Sequence, residues 1–288
     1  MKLTDDVKAL AIRMGADLVG IAPVDRFTYA PEECKPRYYM GDARCVIVLA
    51  TRILKGITDV HGSYEEEGKT MGPYMWYGYP VLNWANSWIA TQVSKLLEDK
   101  GHRALPFPPA GFHYRNPEKG LPDFSHRHAA VAAGLGEFGY NRLFLTPQFG
   151  ARQRLLSIIT SAPLDPDPLY DGEKICNRVK CKDVCIKVCP MAAYEDEVMS
   201  VKIGDRVFEY AGLNSATCWW HAIVGKYLRG TEELPRYPTF EQIQELMEKA
   251  GGREKLLEKM NPWDKAMSMF TYVPTCGACL TKCPAPWA

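Results

Sequence analysis

The feature that most constrains this chain is CNRVKCKDVCIKVCP at residues 176 to 190, where Cys176, Cys181, Cys185 and Cys189 fall within fourteen residues and a proline follows the last. A second cluster, Cys276, Cys279 and Cys283, also ends in CxxxCP. A disulfide framework is unnecessary, because 288 residues with 47% hydrophobic content can bury a full core. The opening residues carry no basic start followed by an apolar run, and no twin-arginine pair occurs, so the expected location is the cytoplasm, where thiols stay reduced. No segment approaches the ~20 apolar residues of a membrane span. The net charge of +1 gives no broad footprint for nucleic acid, although a local basic groove stays open.

Soft thiolates suit iron-sulfur clusters or zinc. Zinc sites more often show two CxxC pairs per metal, and this chain has one, so the reading is iron-sulfur. Bacterial ferredoxins run CxxCxxCxxxCP, and the cysteine before proline ligates the cluster of the other motif. The second motif here is one cysteine short, and Cys218 in ATCWWH is the unassigned cysteine of this region. Eight thiolates then satisfy two 4Fe-4S clusters: Cys176, Cys181, Cys185 and Cys283 for one, Cys189, Cys218, Cys276 and Cys279 for the other. The first motif departs from the ferredoxin spacing, with CxxxxC followed by CxxxC. Cys34 and Cys45 read as a loop thiol and a small core residue.

Periodicity supplies the frame. Thr4, Asp5 and Asp6 mark a helix start, and Val7, Leu10, Ala11 and Met14 share a face until Gly15. Leu18 to Ala22, Cys45 to Ala50 and Leu155 to Thr160 are apolar runs expected to be strands buried on both faces. Val81 to Leu97 has helical spacing, stopped by Gly101. Residues 1–165 thus alternate helix and strand, an α/β or α+β pattern. The proline- and acid-rich stretch at 161 to 174 reads as a linker or long turn, and a second module, 166–288, follows with a hairpin at Gly204 and Asp205 and a helix opened by Thr239 with Gln242.

GLGEFG, with Gly134, Gly136 and Gly139, fits GxGxxG as a bare pattern. Its context is wrong for a dinucleotide, because it follows a helix-like alanine run and precedes a strand. The glycines make a tight turn, or let backbone come close to a ligand.

The runs AAVAAGLGEFGYNRLFLTPQFGARQRL, ALAIRMGADLVGIAPVDRF and YYMGDARCVIVLA, together with the paired CP motifs, resemble the cobalamin-dependent iron-sulfur reductases that comprise reductive dehalogenases and epoxyqueuosine reductases. The resemblance implies a corrinoid in a nitroreductase-like domain against a ferredoxin-like module with two 4Fe-4S clusters. It implies corrinoid contacts from Gly134, Leu135, Gly136, Gly139, Asn141, Thr146, Phe149 and Gly150. Epoxyqueuosine reductases carry an aspartate where this chain has Gly120, with Asp123 as a nearby substitute, and a lysine where it has Tyr140. Glu137 looks more like reductive dehalogenases, whose proton donors include a tyrosine. The candidate catalytic residues are therefore Tyr140, Tyr114 and Asp123, with His113 beside them.

Other residues carry two readings. YMWYGY at 74 to 79 suits a wall over the corrin or the contact of a homodimer, HRH at 126 to 128 suits an anion site or a helix start, and His221 suits a neighbour of the Cys218 cluster. The expected partners are a small-molecule substrate and a low-potential electron donor such as ferredoxin or flavodoxin, with no membrane and no tRNA. The rival readings are an electron-transfer protein serving a partner's corrinoid, and a compact tRNA epoxyqueuosine reductase.

Overall fold

The computed structural model describes residues 2–62, 67–109, 114–116, 121–215, 218, 245, 248, 249 and 276–286, with backbone alone at 114–116 and 121. The helix expected from Thr239, and His113, Gly120 and His221, lie outside these residues.

Helix α1 (Leu3–Arg13) carries Asp5 and Asp6 in its first turn and Arg13 in its last, matching the helix dipole at both ends. Thr4 does not cap it. Its Oγ1 accepts from the Asp165 amide at 2.8 Å, which pins the start of the proline-rich stretch to the helix. The Asp167 carboxylate accepts from the Ile21 amide at 2.8 Å, and Ala162 and Leu164 are buried in the core. The stretch at 161 to 174 is therefore a strap held at several points rather than a loose linker.

Strands β1 (Leu18–Pro23), β2 (Cys45–Arg52), β3 (Ala104–Pro106) and β4 (Gln153–Thr160) form one sheet in the order β1-β2-β4-β3. All its pairings are antiparallel. The apolar runs are continuous because both faces are covered. Val46, Val48 and Ala50 point into one core, shared with Ala129 to Ala133, while Cys45, Ile47 and Leu49 point into another. That second core is filled by α1 and by α2 (Pro80–Asp99) through Val7, Ile89, Val93 and Leu97. The bland reading of Cys45 agrees with its place there.

Helix α3 (His126–Ala132) covers the opposite face, so HRH opens a helix. After it, residues 137–138 pair with 144–145 in a small hairpin. The second half begins with two short helices, α4 (Arg178–Cys181) and α5 (Val184–Lys187), and continues into the hairpin of β5 (Tyr194–Ile203) and β6 (Arg206–Leu213). Gly204 turns that hairpin at φ 59°, and Ile203 and Tyr210 enter the core of the first half. Helix α6 (Ala278–Thr281) lies against α5.

Candidate functional site

Eight cysteines come from the approach to α4, α4 itself, α5, the turn between α5 and β5, residue 218 and the α6 segment. The neighbours each thiol meets divide them into two groups. Burial pushes Cys185 up to about 12, and its thiol neighbours are Cys283, Cys176 and Cys181. Burial also raises Cys283 and Cys176, with Cys176 and Cys181 beside the former and Cys181 beside the latter. A small cavity is lined by Cys176, Cys181, Cys185 and Cys283, and by Gly139 to Asn141. In the other group, burial lifts Cys279 to about 12, opposed by a hydrogen bond with the Tyr194 hydroxyl, and its thiol neighbours are Cys276, Cys218 and Cys189. Cys218 rises to about 11 through burial and then Cys276 and Cys189, opposed by Arg127 and Arg142. Backbone N–H groups point at two sulfurs: Tyr140 N donates to Cys176 Sγ at 3.3 Å, and Ala193 N to Cys189 Sγ at 3.4 Å. Among the described residues, no three His, Cys, Asp or Glu side chains converge on a point that one metal ion could occupy.

The segment 134 to 150 supports this arrangement. Glu137 Oε1 accepts from the amides of Ile175 and Cys176 at 2.7 and 2.9 Å, and Asn141 Nδ2 donates to Cys279 O at 3.2 Å. A Cβ at Gly134 would sit 1.8 Å from Pro168 O, one at Gly136 1.9 Å from Leu145 O, and one at Gly150 1.9 Å from Ala285 O. Gly139 faces Asn141 and Leu145 in the same way. The space these glycines free is thus taken by the chain's own backbone and side chains. Leu135 packs on the core beside Gly20, Thr146 is fully buried and accepts from the Phe149 amide at 3.0 Å, and the Arg52 guanidinium lies 5.9 Å from the Phe149 ring centroid.

A larger cavity of about 320 Å³ is lined in part by Leu143 and Phe144 of this segment. Phe107, Phe124, Phe144 and three prolines supply its apolar wall, and Asp123, His126, Arg127, Gln153 and Arg154 supply polar groups. None of the eight residues read as corrinoid contacts lines it; Leu143, Phe144 and Ala151, their sequence neighbours, do. The candidate catalytic residues are not brought together. Asp123 is on this cavity, whereas Tyr140 lies at the cysteine cavity with the Arg178 guanidinium 3.5 Å from its ring centroid. Tyr114 sits on a strand whose side chains lie outside the described residues.

Two arginines weigh on the larger cavity: Arg127, the middle residue of HRH, and Arg154, which the sequence reading did not single out. Arg127 is half-buried, lines that cavity and donates to Arg142 O at 2.7 Å, with Cys218 among its charged neighbours. Arg154 donates to Asn83 Oδ1 at 2.9 Å and stacks 3.9 Å from the Tyr79 ring centroid. Tyr79 belongs to YMWYGY, whose other members split. Tyr74 is buried against His61 and Gly277, while Tyr77, with the nearby Trp84 and Trp88, is exposed.

The two histidines of HRH are held neutral. Burial lowers His126 to about 4, and its Nε2 donates to Pro108 O at 2.9 Å while Nδ1 faces Ser157 Oγ. Burial likewise lowers His128 to about 3, between Ser125 and Tyr210. The unfolded chain takes up these protons near pH 6.5 and the folded one does not, so stability present above pH 6.5 is lost as pH falls toward 4. Urea unfolding between pH 7 and pH 4.5 should show a loss on the order of 2 kcal/mol per histidine, and roughly half of the total disappears in His126→Gln. An equal loss in that variant would assign the acid sensitivity elsewhere.

No family model matches the chain. Tetrachloroethene reductive dehalogenases of Desulfitobacterium hafniense and Dehalobacter restrictus are 42% identical over 69 residues, which is 24% of this chain and 12% of theirs. The structure of epoxyqueuosine reductase from Streptococcus thermophilus aligns with 99% of this chain and 66% of its own, at TM-score 0.53 and 17% identity. A reductive dehalogenase whose structure suggests a mechanism for B12-dependent dehalogenation aligns with 91% of this chain and 35% of its own, at TM-score 0.53 and 19% identity. The chain has the fold of the reductive dehalogenases and epoxyqueuosine reductases. A third neighbour, a catabolic reductive dehalogenase in complex with 3-bromo-4-hydroxybenzoic acid, aligns at TM-score 0.52 over 96% of this chain and 35% of its own. This reductase fold is a mixed α/β one, and its sheet in this chain is antiparallel. Among the described residues no helix is long and apolar enough to cross a membrane.

Proposed function

We propose that the chain is an iron-sulfur and corrinoid-dependent reductase, reductive dehalogenase-like, that removes a halide or oxygen substituent from a small organic molecule. The observation that carries this reading is the small cavity lined by Cys176, Cys181, Cys185 and Cys283, with the other four motif cysteines forming the second group. Each group has the ligand count of one 4Fe-4S cluster, and the amides of Tyr140 and Ala193 supply N–H donors that favour negative charge on sulfur. Residues 166–288 are then a ferredoxin-like module that delivers electrons, and 1–165 a nitroreductase-like unit that holds the substrate.

The donor set fits the clusters. It does not fit a corrinoid at Gly134 to Gly150, because the chain itself fills the approach those glycines allow. The corrinoid part of the proposal rests on the fold neighbours, and no step is routed through cobalt. The larger cavity, lined by no cysteine, is the space left for a ligand. There Arg127 and Arg154 favour an anionic group, neutral His126 keeps its donor on Pro108, and Phe107 and Phe124 exclude water.

Metal and corrinoid content of protein purified without oxygen and reconstituted with iron, sulfide and hydroxocobalamin tests this. About eight irons and one cobalt per chain are expected. Full iron with no retained cobalt would favour an electron-transfer protein serving a partner's corrinoid. The 99% coverage by the epoxyqueuosine reductase fold supports the second reading, a compact epoxyqueuosine reductase. Conversion of epoxyqueuosine in a tRNA stem-loop by the loaded protein would establish it.

A further inference from the structure

The outward face of the first cysteine group is chemically unlike the rest of the molecule. Between residues 174 and 188 stand Lys174, Arg178, Lys180, Lys182 and Lys187, with Asp183 the lone carboxylate, in a chain whose net charge is +1. Asp183 is tied to Arg178 by two hydrogen bonds of 2.7 and 3.0 Å. The cations are exposed, as are Asp171 and Glu173 at the edge of the stretch. Among them Val179 is 90% exposed, on the same short helix as Cys181. Lys182 and Asp183 both adopt left-handed backbone, at φ 53° and 56°, which joins α4 to α5 with no intervening loop. Such conformations are costly away from glycine and persist where the surroundings demand them. Here the two helices they join carry Cys181 and Cys185.

We propose that this face is the docking surface for an acidic, one-electron carrier protein of the ferredoxin class. The proposal rests on the cluster reading above and deepens it. A solvated basic patch lowers the barrier to encounter with an acidic partner and orients it. An exposed aliphatic side chain amid the cations supplies a small dry contact of the kind found in weak redox encounters. The thiol group lies directly beneath, since the Cys181 Sγ to Arg178 O contact of 3.7 Å is at the surface. One electron would pass from the carrier's reduced centre to the cluster held by Cys176, Cys181, Cys185 and Cys283, oxidising the first and reducing the second by one unit. On this reading the Arg127 side, which faces Cys218 and the larger cavity, lies downstream.

The test compares reconstituted wild type with a Lys180→Glu, Lys187→Glu double variant. Stopped-flow bleaching of cluster absorbance is followed with two reductants, a reduced acidic 2Fe-2S ferredoxin and photoreduced deazariboflavin, the latter small and without a protein surface. The variant should react with ferredoxin about tenfold more slowly at low salt, and the gap should close as salt is raised. Its deazariboflavin rate and iron content should match wild type. A ferredoxin rate within twofold of wild type, with iron intact, overturns the docking surface and leaves the cluster reading standing. Wild type that retains no iron overturns both. If the variant instead loses affinity for a tRNA stem-loop while its ferredoxin rate holds, the patch serves RNA and the proposal fails.

Discussion

Gly150→Ala should destabilise the protein by about 3 kcal/mol and strip iron from one group of thiols while sparing the other. Gly150 adopts φ 58°, where a side chain costs about 1–2 kcal/mol. Its added Cβ would also stand 1.9 Å from Ala285 O and 2.8 Å from Pro286 N, and overpacking of this kind costs about 1–3 kcal/mol. The chain relieves the clash by moving residues 285 and 286, which drags Cys283 away from Cys176 and Cys185. Urea unfolding and iron analysis read the two effects separately. Gly41→Ala serves as control, since its Cβ meets nothing within 4 Å, and should change stability by less than about 0.5 kcal/mol. A Gly150→Ala protein with wild-type stability and full iron would mean that the segment carrying Cys283 is not held by this contact.

The second large effect is on metal stoichiometry. Cys218→Ala removes one thiol from the Cys189, Cys276 and Cys279 group and should lower iron from about eight to about four per chain. Cys181→Ala should do the same by way of the other group, and the double variant should retain almost none. Electron paramagnetic resonance of the reduced proteins would separate the two single variants, because Arg127 and Arg142 face Cys218, whereas Glu137 and Lys174 lie beside Cys176. If Cys218→Ala keeps eight irons, residue 218 is not a ligand and the grouping by neighbours misleads.

Much of this architecture was legible because it follows short-range rules. Val46 to Ala50 alternate between two cores, so an unbroken apolar run announces a strand covered on both sides. It does not announce direction, and the alternation of helix and strand that suggests a parallel sheet belongs here to an antiparallel one. The crossed CP pairing of the thiols is an expectation from motif spacing, and the iron content of Cys218→Ala and Cys181→Ala tests it. The glycines were the harder case. A sequence records that something comes close to Gly134, Gly136 and Gly150, but only the fold shows Pro168, Leu145 and Ala285 in that role. HRH carries two readings, an anion site or a helix start, and only the fold shows that Arg127 both opens a helix and lines the larger cavity.

The short segment from Cys276 to Cys283 gives sulfurs to both groups, two to one and one to the other. During synthesis, therefore, neither group can be completed while this stretch is still inside the ribosome, however early the sheet and its helices have formed. The rest of the fold waits as an apo form with Ile53, Tyr74 and Leu145 lacking the Leu280 and Ala285 that cover them. On the proposed cluster reading, metal loading waits for this stretch, and losing it would disable both groups together.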